Sequence, residues 1–254
     1  EATLTGPQIV FEEETTFAVA GAVFGLTLGA GTIDMNRRID AKAGSILTFG
    51  ERQRGARSYI AIAGGVDVPL VLGSRSTHVL TRMGGLEGRA LRAGDRLTRG
   101  GKGTGVFLPS ASSQKDSRPL SWAQGGARLR VLPGEHALFA HLAAQRFRIS
   151  PRSDRMGYRL EGTGSDPLTR NGRGSDPGII SGAVATGTIQ IPPAGQPILL
   201  LADRATTGGY AIGGTVITAD LPAAGQLAPG DWVEFEACSI EAADEALRDQ
   251  EAVF

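Results

Sequence analysis

Short runs of alternating apolar and polar residues, separated by single glycines, dominate the chain. Read at period two, they predict strands at Gln8–Phe11, Thr16–Ala20, Ser45–Phe49, Ser58–Ala63, Arg128–Leu132, Gly187–Ile191, Pro197–Leu201, Gly214–Ala219 and Trp232–Glu236. Within the fourth of these, Tyr59, Ile60, Ile62 and Ala63 are almost continuously apolar, which predicts a strand covered on both faces. Helical spacing occurs in two places. Glu135–Arg146 sets Leu138, Phe139 and Leu142 on one face behind Pro133-Gly134, and His136 and His141 on the same helix read as surface or packing residues. Ser239–Gln250 has Ser239 as N-cap and Ala242, Ala243, Ala246 and Leu247 as its apolar face.

Three segments repeat one form: Ala43-Gly44-Ser45-Ile46-Leu47, Ala93-Gly94-Asp95-Arg96-Leu97 and Pro229-Gly230-Asp231-Trp232-Val233. Each reads as a glycine turn launching a strand, a feature of architecture and not of activity. Pro109–Ser121 is polar and rich in Ser and Pro, and is read as a linker. It divides the chain into an N-terminal β unit at 1–108, the linker at 109–121, and a C-terminal β-barrel unit with two short helices at 122–254. Thr163–Gly178, glycine-rich with two Ser-Asp-Pro repeats, is long enough to be a mobile flap or a disordered excursion. The fold class is mainly β with minor α.

Composition supports that reading. The 37 glycines are roughly double the usual share of about 7% and, scattered singly, mark many tight turns. No apolar run reaches membrane-spanning length, and no basic and apolar leader precedes the first strand. Cys238 is the only cysteine, which excludes an intrachain disulfide and fits a reducing, cytoplasmic setting. With only 3 histidines beside it, an ordinary zinc site is not expected. Charge sums to zero but is uneven: 10 Arg against 4 acids from Arg118 to Arg173, then 8 acids against Arg248 alone from Asp231 to Glu251. The basic region lacks the interleaved aromatics of a nucleic-acid stripe, so two complementary charged faces are the simpler account.

Standard catalytic signatures are absent. Gly100-Gly101-Lys102-Gly103-Thr104-Gly105 has the wrong order for a phosphate-binding P-loop, and no Gly-x-Ser-x-Gly elbow occurs. Three clusters remain. The first runs from Ala63 to Pro69 and on through Ser74-Arg75-Ser76-Thr77-His78, whose plainer reading is a turn held by side-chain-to-backbone bonds. The second, Ser153 to Leu160, centres on Asp154-Arg155, whose plainer reading is an ion pair pinning a loop. The third runs from Gln190 to Asp203 and Thr206-Thr207-Gly208-Gly209-Tyr210. Hydroxyls followed by paired glycines bring backbone N–H groups close to a bound oxyanion or phosphate, and the plainer reading is a tight turn capped by Asp203.

The strings GARSYIAIAGGVDVPLVLGSRSTH (Gly55–His78), GGLEGRALRAGDRL (Gly84–Leu97), SDRMGYRLEG (Ser153–Gly162) and GTIQIPPAGQPILLLADRATTGGY (Gly187–Tyr210) carry a resemblance. With Leu4-Thr5-Gly6-Pro7 and the Gln226–Asp231 turn they span nearly the whole chain. The sequence resembles the family of the C-type 5-oxoprolinase subunits, also called allophanate hydrolase subunit 2 or biotin-dependent carboxyltransferase. The resemblance implies cyclophilin-like β-barrel units and B-type and A-type partner subunits. It also implies ATP-dependent opening of the 5-oxo-L-proline lactam to L-glutamate, with ATP as the cofactor of the complex. Family members carry a further stretch before the Leu-Thr-Gly-Pro element, so the chain reads as a fragment, a processed chain or an unusually short member.

Phosphorylation of the amide oxygen would make the carbon electrophilic, and it calls for cationic and backbone donors more than for a nucleophilic side chain. The resemblance then gives Arg155 and Arg75 as anion binders, with Ser76 and Thr77 beside Arg75. Asp154 or Asp203 would be the orienter or base. Thr206, Thr207, Gly208 and Gly209 would form the cradle, and Gln190 and Tyr210 would position substrate. Two other family functions stay open: a carboxyltransferase domain like that of urea carboxylase, and an antagonist of a histidine-kinase inhibitor. No Met-Lys-Met biotinylation sequence is present, so biotin, under the first of these, would arrive on another protein.

Overall fold

A computed structural model describes residues 1–101, 125–162 and 179–252. The expected linker at 109–121 and the loop Thr163–Gly178 lie outside the described residues. Two units are distinguished: residues 1–53 with 58–101, and residues 54–57 with those from 125 onward.

In the first unit β1 (Ala2–Thr3), β2 (Gln8–Val10), β3 (Thr15–Leu28), β4 (Gly31–Ile33), β5 (Ile39–Ala41) and β6 (Ile46–Ile62) form a six-stranded sheet. The long members are β3 and β6. Along β3, Thr15, Phe17 and Val19 are buried, and then Ala22, Phe24 and Leu26. The alternation slips by one at Gly21, whose φ of 102° only glycine adopts easily. That extra residue keeps the later apolar set in the same core as the earlier one. Phe11 stacks on Phe17 with ring centroids 4.9 Å apart, and Phe24 meets Phe49 edge-on at 5.3 Å. Tyr59 is 48% exposed, so this part of β6 is not covered on both faces as its apolar run predicts.

Beyond β6 the first unit is irregular and tied by polar contacts. Arg89 forms a bidentate pair with Asp95 (2.7 and 2.9 Å), whose Oδ2 also accepts from the Arg92 N–H at 2.7 Å. The Arg89 bonds first, and the Arg92 bond second, hold the Asp95 carboxyl at about 2, below its ordinary 3.8. A carboxyl depressed in the folded state contributes its stabilisation above the unfolded value and loses it as pH falls toward the folded one. Amides between 84 and 97 are therefore expected to exchange faster relative to their intrinsic rates, a lower protection factor, as pH drops from about 4 toward 2. Asp95→Asn should show that faster exchange already at pH 7, read by hydrogen–deuterium exchange.

The second unit contains β7 (Gly126–Pro133), α1 (His136–Ala143), β8 (Phe147–Ile149), β9 (Gly157–Gly162), β10 (Gly182–Ala183), β11 (Thr188–Ile191) and β12 (Ile198–Leu200). It continues with β13 (Thr207–Gly208), β14 (Ala211–Val216), α2 (Leu221–Ala224), β15 (Trp232–Ala237) and α3 (Ile240–Glu251). Seven strands close a barrel in the order β11-β12-β9-β8-β15-β7-β14, and β10 pairs with β13 as a separate two-stranded ribbon. Neighbours in the barrel run antiparallel except β15 and β7, which are parallel from Trp232↔Gly126 to Ala237↔Val131. Inward residues, among them Leu129, Val131, Phe147, Ile149, Leu160, Ile189 and Leu199, make the core. Leu138, Phe139 and Leu142 of α1 join it, as their spacing predicts.

The predicted strand Gly214–Ala219 ends at Val216, because Thr218–Asp220 tightens into a 3-10 turn leading to α2, with Pro222 in its first turn. Asp220 holds that turn on β7 by accepting from Arg130 N (2.7 Å), Nε (3.1 Å) and Nη2 (2.6 Å). Ser239 caps α3, accepting from Ala242 N at 3.2 Å. Ala243, Ala246 and Leu247 of that helix are half-buried, whereas Ala242, placed on its apolar face by sequence, is exposed.

The middle of β6 belongs with this unit. Gln226 Oε1 accepts from Ala56 N and Arg57 N, and its Nε2 donates to Arg57 O, each at 2.9 Å. One side-chain amide thus does the work of a neighbouring strand's backbone. Arg57 also donates to Tyr158 OH (2.7 Å) and to Gly225 O, and Tyr158 OH donates to Leu227 O at 2.8 Å.

Candidate functional site

The second and third sequence clusters meet at one end of the barrel. Ser150 to Met156 connects β8 to β9, and Leu201 to Thr206 follows β12, the strand that pairs with β9. The Arg155 Nε donates to Asp203 Oδ2 at 2.8 Å and its Nη2 to Oδ1 at 3.3 Å. Their backbones also meet, Asp203 N donating to Arg155 O at 3.0 Å. The side chains retain 47% and 31% exposure, so this fork lies partly open to solvent. A planar guanidinium gripped on two nitrogens is fixed in orientation. Asp203 is the orienter of Arg155 in this arrangement.

Asp154 points at backbone. Its Oδ1 accepts from Met156 N (2.8 Å) and Gly157 N (3.2 Å), which shapes the turn into β9. The ion pair read from the sequence as local to Asp154-Arg155 is therefore made across 48 residues with Asp203 instead. Ser153 contributes by accepting from Arg159 N at 3.0 Å.

The Thr206–Tyr210 run is partly a strand. Thr207 and Gly208 form β13, opposite Ala183 and Gly182, and Val184 N donates to Thr206 O at 3.0 Å. Arg204 braces the same ribbon by donating from Nε to Val184 O at 3.1 Å. Thr206, Thr207 and Tyr210 are exposed, and Gly208 and Gly209 are half-buried. A Cβ on Gly208 would overlap Gln190 Nε2, and one on Gly209 would lie 3.0 Å from Ser181 Oγ. Gln190, on β11, is thus directly beneath β13. It is 6% exposed, and its Nε2 has no hydrogen-bond partner among the described residues.

Arg75, Ser76 and Thr77 belong to the first unit and are exposed. Arg75 Nε donates to Val68 O at 3.1 Å, and Ser74 Oγ accepts from Ser76 N at 3.0 Å, the side-chain-to-backbone turn that sequence offers as the plainer reading. The segment is packed against Gly84 and Gly85, where a Cβ would overlap Ser76 O and Thr77 Oγ1. Both glycines have positive φ, so this contact and the turn require them together. Sequence reading misses Ser181, Gly182 and Arg204, which build the ribbon over Gln190. A run of small residues opposite another such run is the signal for them.

No group of three or more His, Cys, Asp or Glu side chains suited to a metal ion occurs among the described residues. No helix there is long and apolar enough to cross a membrane.

Residues 1–237 match the carboxyltransferase domain, subdomain A and B, and the chain belongs to that family. It is 38% identical over 266 residues to the C-type 5-oxoprolinase subunit of Escherichia coli (strain K12), spanning 100% of this chain and 79% of that protein. With the protein of the same name from Haemophilus influenzae the identity is 32% over 262 residues, spanning 99% and 78%. Among solved structures, Kluyveromyces lactis urea carboxylase superposes with a TM-score of 0.81 at 28% identity, over 98% of this chain and 24% of that one. The family resemblance carried by the four long motifs is thereby established.

Proposed function

We propose that the chain is the carboxyltransferase-type component of a multi-component enzyme that acts at the carbonyl of a small amide. The observation that carries this reading is the family match over 1–237, with an oriented Arg155–Asp203 fork and a buried Gln190 amide on the barrel. An amide resists attack because its nitrogen donates electrons into the carbonyl. Fixed donors aimed at the oxygen, or at a neighbouring carboxylate, reduce that resistance and hold the substrate for attack. Arg155 fits as anion binder, Asp203 as its orienter, Gln190 and Tyr210 as positioning residues, and Asp154 as the support of the loop that carries Arg155. Arg75, Ser76 and Thr77 are proposed as anion and substrate binders of the first unit, and cyclophilin-like is the proposed description of the barrel.

Two chemistries share this site. Transfer of a carboxyl group to a urea-like amide has the broader support, from the family description and the urea carboxylase likeness. Hydrolytic opening of 5-oxo-L-proline to L-glutamate with ATP hydrolysis, alongside B-type and A-type subunits, is favoured by a different observation. The chain spans 79% and 78% of the two C-type 5-oxoprolinase subunits, so it corresponds there to most of a polypeptide. The Thr206–Gly209 run is partly taken up by the pairing of Thr207 and Gly208 with β10, and so does not form a built cradle for ATP or biotin. No step is therefore assigned to either group on this chain.

Reconstitution separates the two. The chain with A- and B-type partners is expected to release glutamate from 5-oxo-L-proline only with ATP; with a biotin carboxylase and its carrier it would instead carboxylate urea. In whichever mixture is active, Arg155→Ala should lower turnover on the order of 10²-fold, the effect of losing a positioning contact. Unchanged turnover removes Arg155 from the site.

A further inference from the structure

On β11, Ile189 and Ile191 belong to the barrel core, and Gln190 between them lies on the ribbon side, beneath Gly208. Gln190 is not in water: the ribbon β10–β13 covers it, with Gly208 over its amide. Across the strands Gln190 pairs with Ile198 on one side and Ile212 on the other, which gives the amide apolar flanks. The register between β11 and β14 shifts between Ile189 and Gln190. A shift of that kind re-aims one side chain, and such irregularities concentrate beside functional sites.

A buried amide donor without a partner is destabilising, and leucine in its place would avoid that cost. The ribbon above is slight. Two residue pairs, Gly182↔Gly208 and Ala183↔Thr207, the Val184–Thr206 bond and the Arg204 brace hold it together, and a ribbon of that size is marginal by itself.

We propose that Gln190 Nε2 is the recognition donor for an oxygen acceptor, a carbonyl or carboxylate oxygen of a small ligand, and that the β10–β13 ribbon is the strap that admits and covers it. The apolar flanks favour a ligand with methylene groups beside that oxygen. This subsite rests on the amide-directed reading above, which it deepens by naming the donor, the acceptor and the moving part.

The test uses the full chain labelled with nitrogen-15 on glutamine side chains, alone and in the reconstituted complex. The Gln190 NH2 signals are assigned by through-bond correlation to the Gln190 backbone in the wild-type chain labelled with carbon-13 and nitrogen-15. Probes are 5-oxo-L-proline, urea, 2-pyrrolidinone (lactam carbonyl only), L-proline (carboxylate only) and pyrrolidine (no oxygen). We expect a saturable downfield shift of the Gln190 NH2 pair with at least one oxygen-bearing probe and none with pyrrolidine. A response to 2-pyrrolidinone identifies a carbonyl as the acceptor, and a response to L-proline a carboxylate. Gln190→Leu should bind the responding probe at least about 10-fold more weakly, yet melt no lower than the parent, since no internal bond is lost. The proposal is overturned if no probe moves the NH2 pair, if Gln190→Leu binds as well as the parent, or if its melting temperature falls as for a broken core hydrogen bond. The wild-type titration stands even if that variant does not fold. A complex inactive on both substrates, whose Gln190 pair still responds, would sink the functional reading and leave the subsite. An active complex with unchanged KM in Gln190→Leu would do the reverse.

Discussion

Gln226→Leu is expected to lower the stability of the second unit by about 3 kcal/mol, or roughly 6–12 °C in Tm for a chain of this size. The leucine keeps the approximate bulk and removes three hydrogen bonds at once: those from Ala56 N and Arg57 N to Oε1, and that from Nε2 to Arg57 O. What remains is worse than a lost contact. Two backbone donors and a carbonyl, in a part-buried place, are left without a partner. Hydrogen exchange adds a local signature, because the amides of Ala56 and Arg57 should lose protection far more than those of β3. Equal loss along the whole chain, or a Tm within about 2 °C of the parent, would show that Gln226 does not serve as a substitute strand.

Phe147→Ala is expected to have an effect of the same order by a different route. Phe147 is 1% exposed, begins β8 and packs on Phe235 with centroids 5.9 Å apart. Removing a ring from a closed barrel leaves a void that strands locked to two neighbours cannot collapse to fill, at a cost of about 3–5 kcal/mol. Phe147→Leu, which keeps much of the volume, should recover most of that loss. Chemical denaturation of both variants, read with an unchanged slope against denaturant, checks the pair.

The strands are legible where apolar residues alternate at full size. Arg128–Leu132 and Trp232–Glu236 each fall within one residue or two of β7 and β15. Thr16–Ala20 captures only the start of β3, because Gly21 breaks the alternation and Gly25 adds no side chain to continue it. Ser153–Leu160 stands out for its charges, which hide the start of β9. Gly182–Ala183 and Thr207–Gly208 lack the apolar alternation that announces a strand, although they pair.

The site is legible in residue type but not in pairing. Sequence singles out both Arg155 and Asp203, yet offers Asp154 as the nearer acid, since chain proximity is all that a sequence shows directly. The antiparallel pairing of β12 with β9 is what carries Asp203 to Arg155, and it depends on contacts made across the barrel. Gln190 is identifiable as a polar residue in an apolar run. Its burial is not, because the ribbon that covers it has no pattern of its own.

The parallel pairing of β15 with β7 has a consequence for how this protein is made. Its two strands are more than a hundred residues apart in the chain, so the barrel stays open until β15 has emerged. At ~5–20 residues per second, that leaves β7 waiting on the order of 10 s of synthesis, and for most of it both edges are unsatisfied, since its other neighbour β14 is also made late. During that interval an exposed edge rich in Leu and Val invites pairing with another nascent chain. The yield of soluble protein should therefore depend on translation speed and chaperone supply more steeply than its equilibrium stability would indicate.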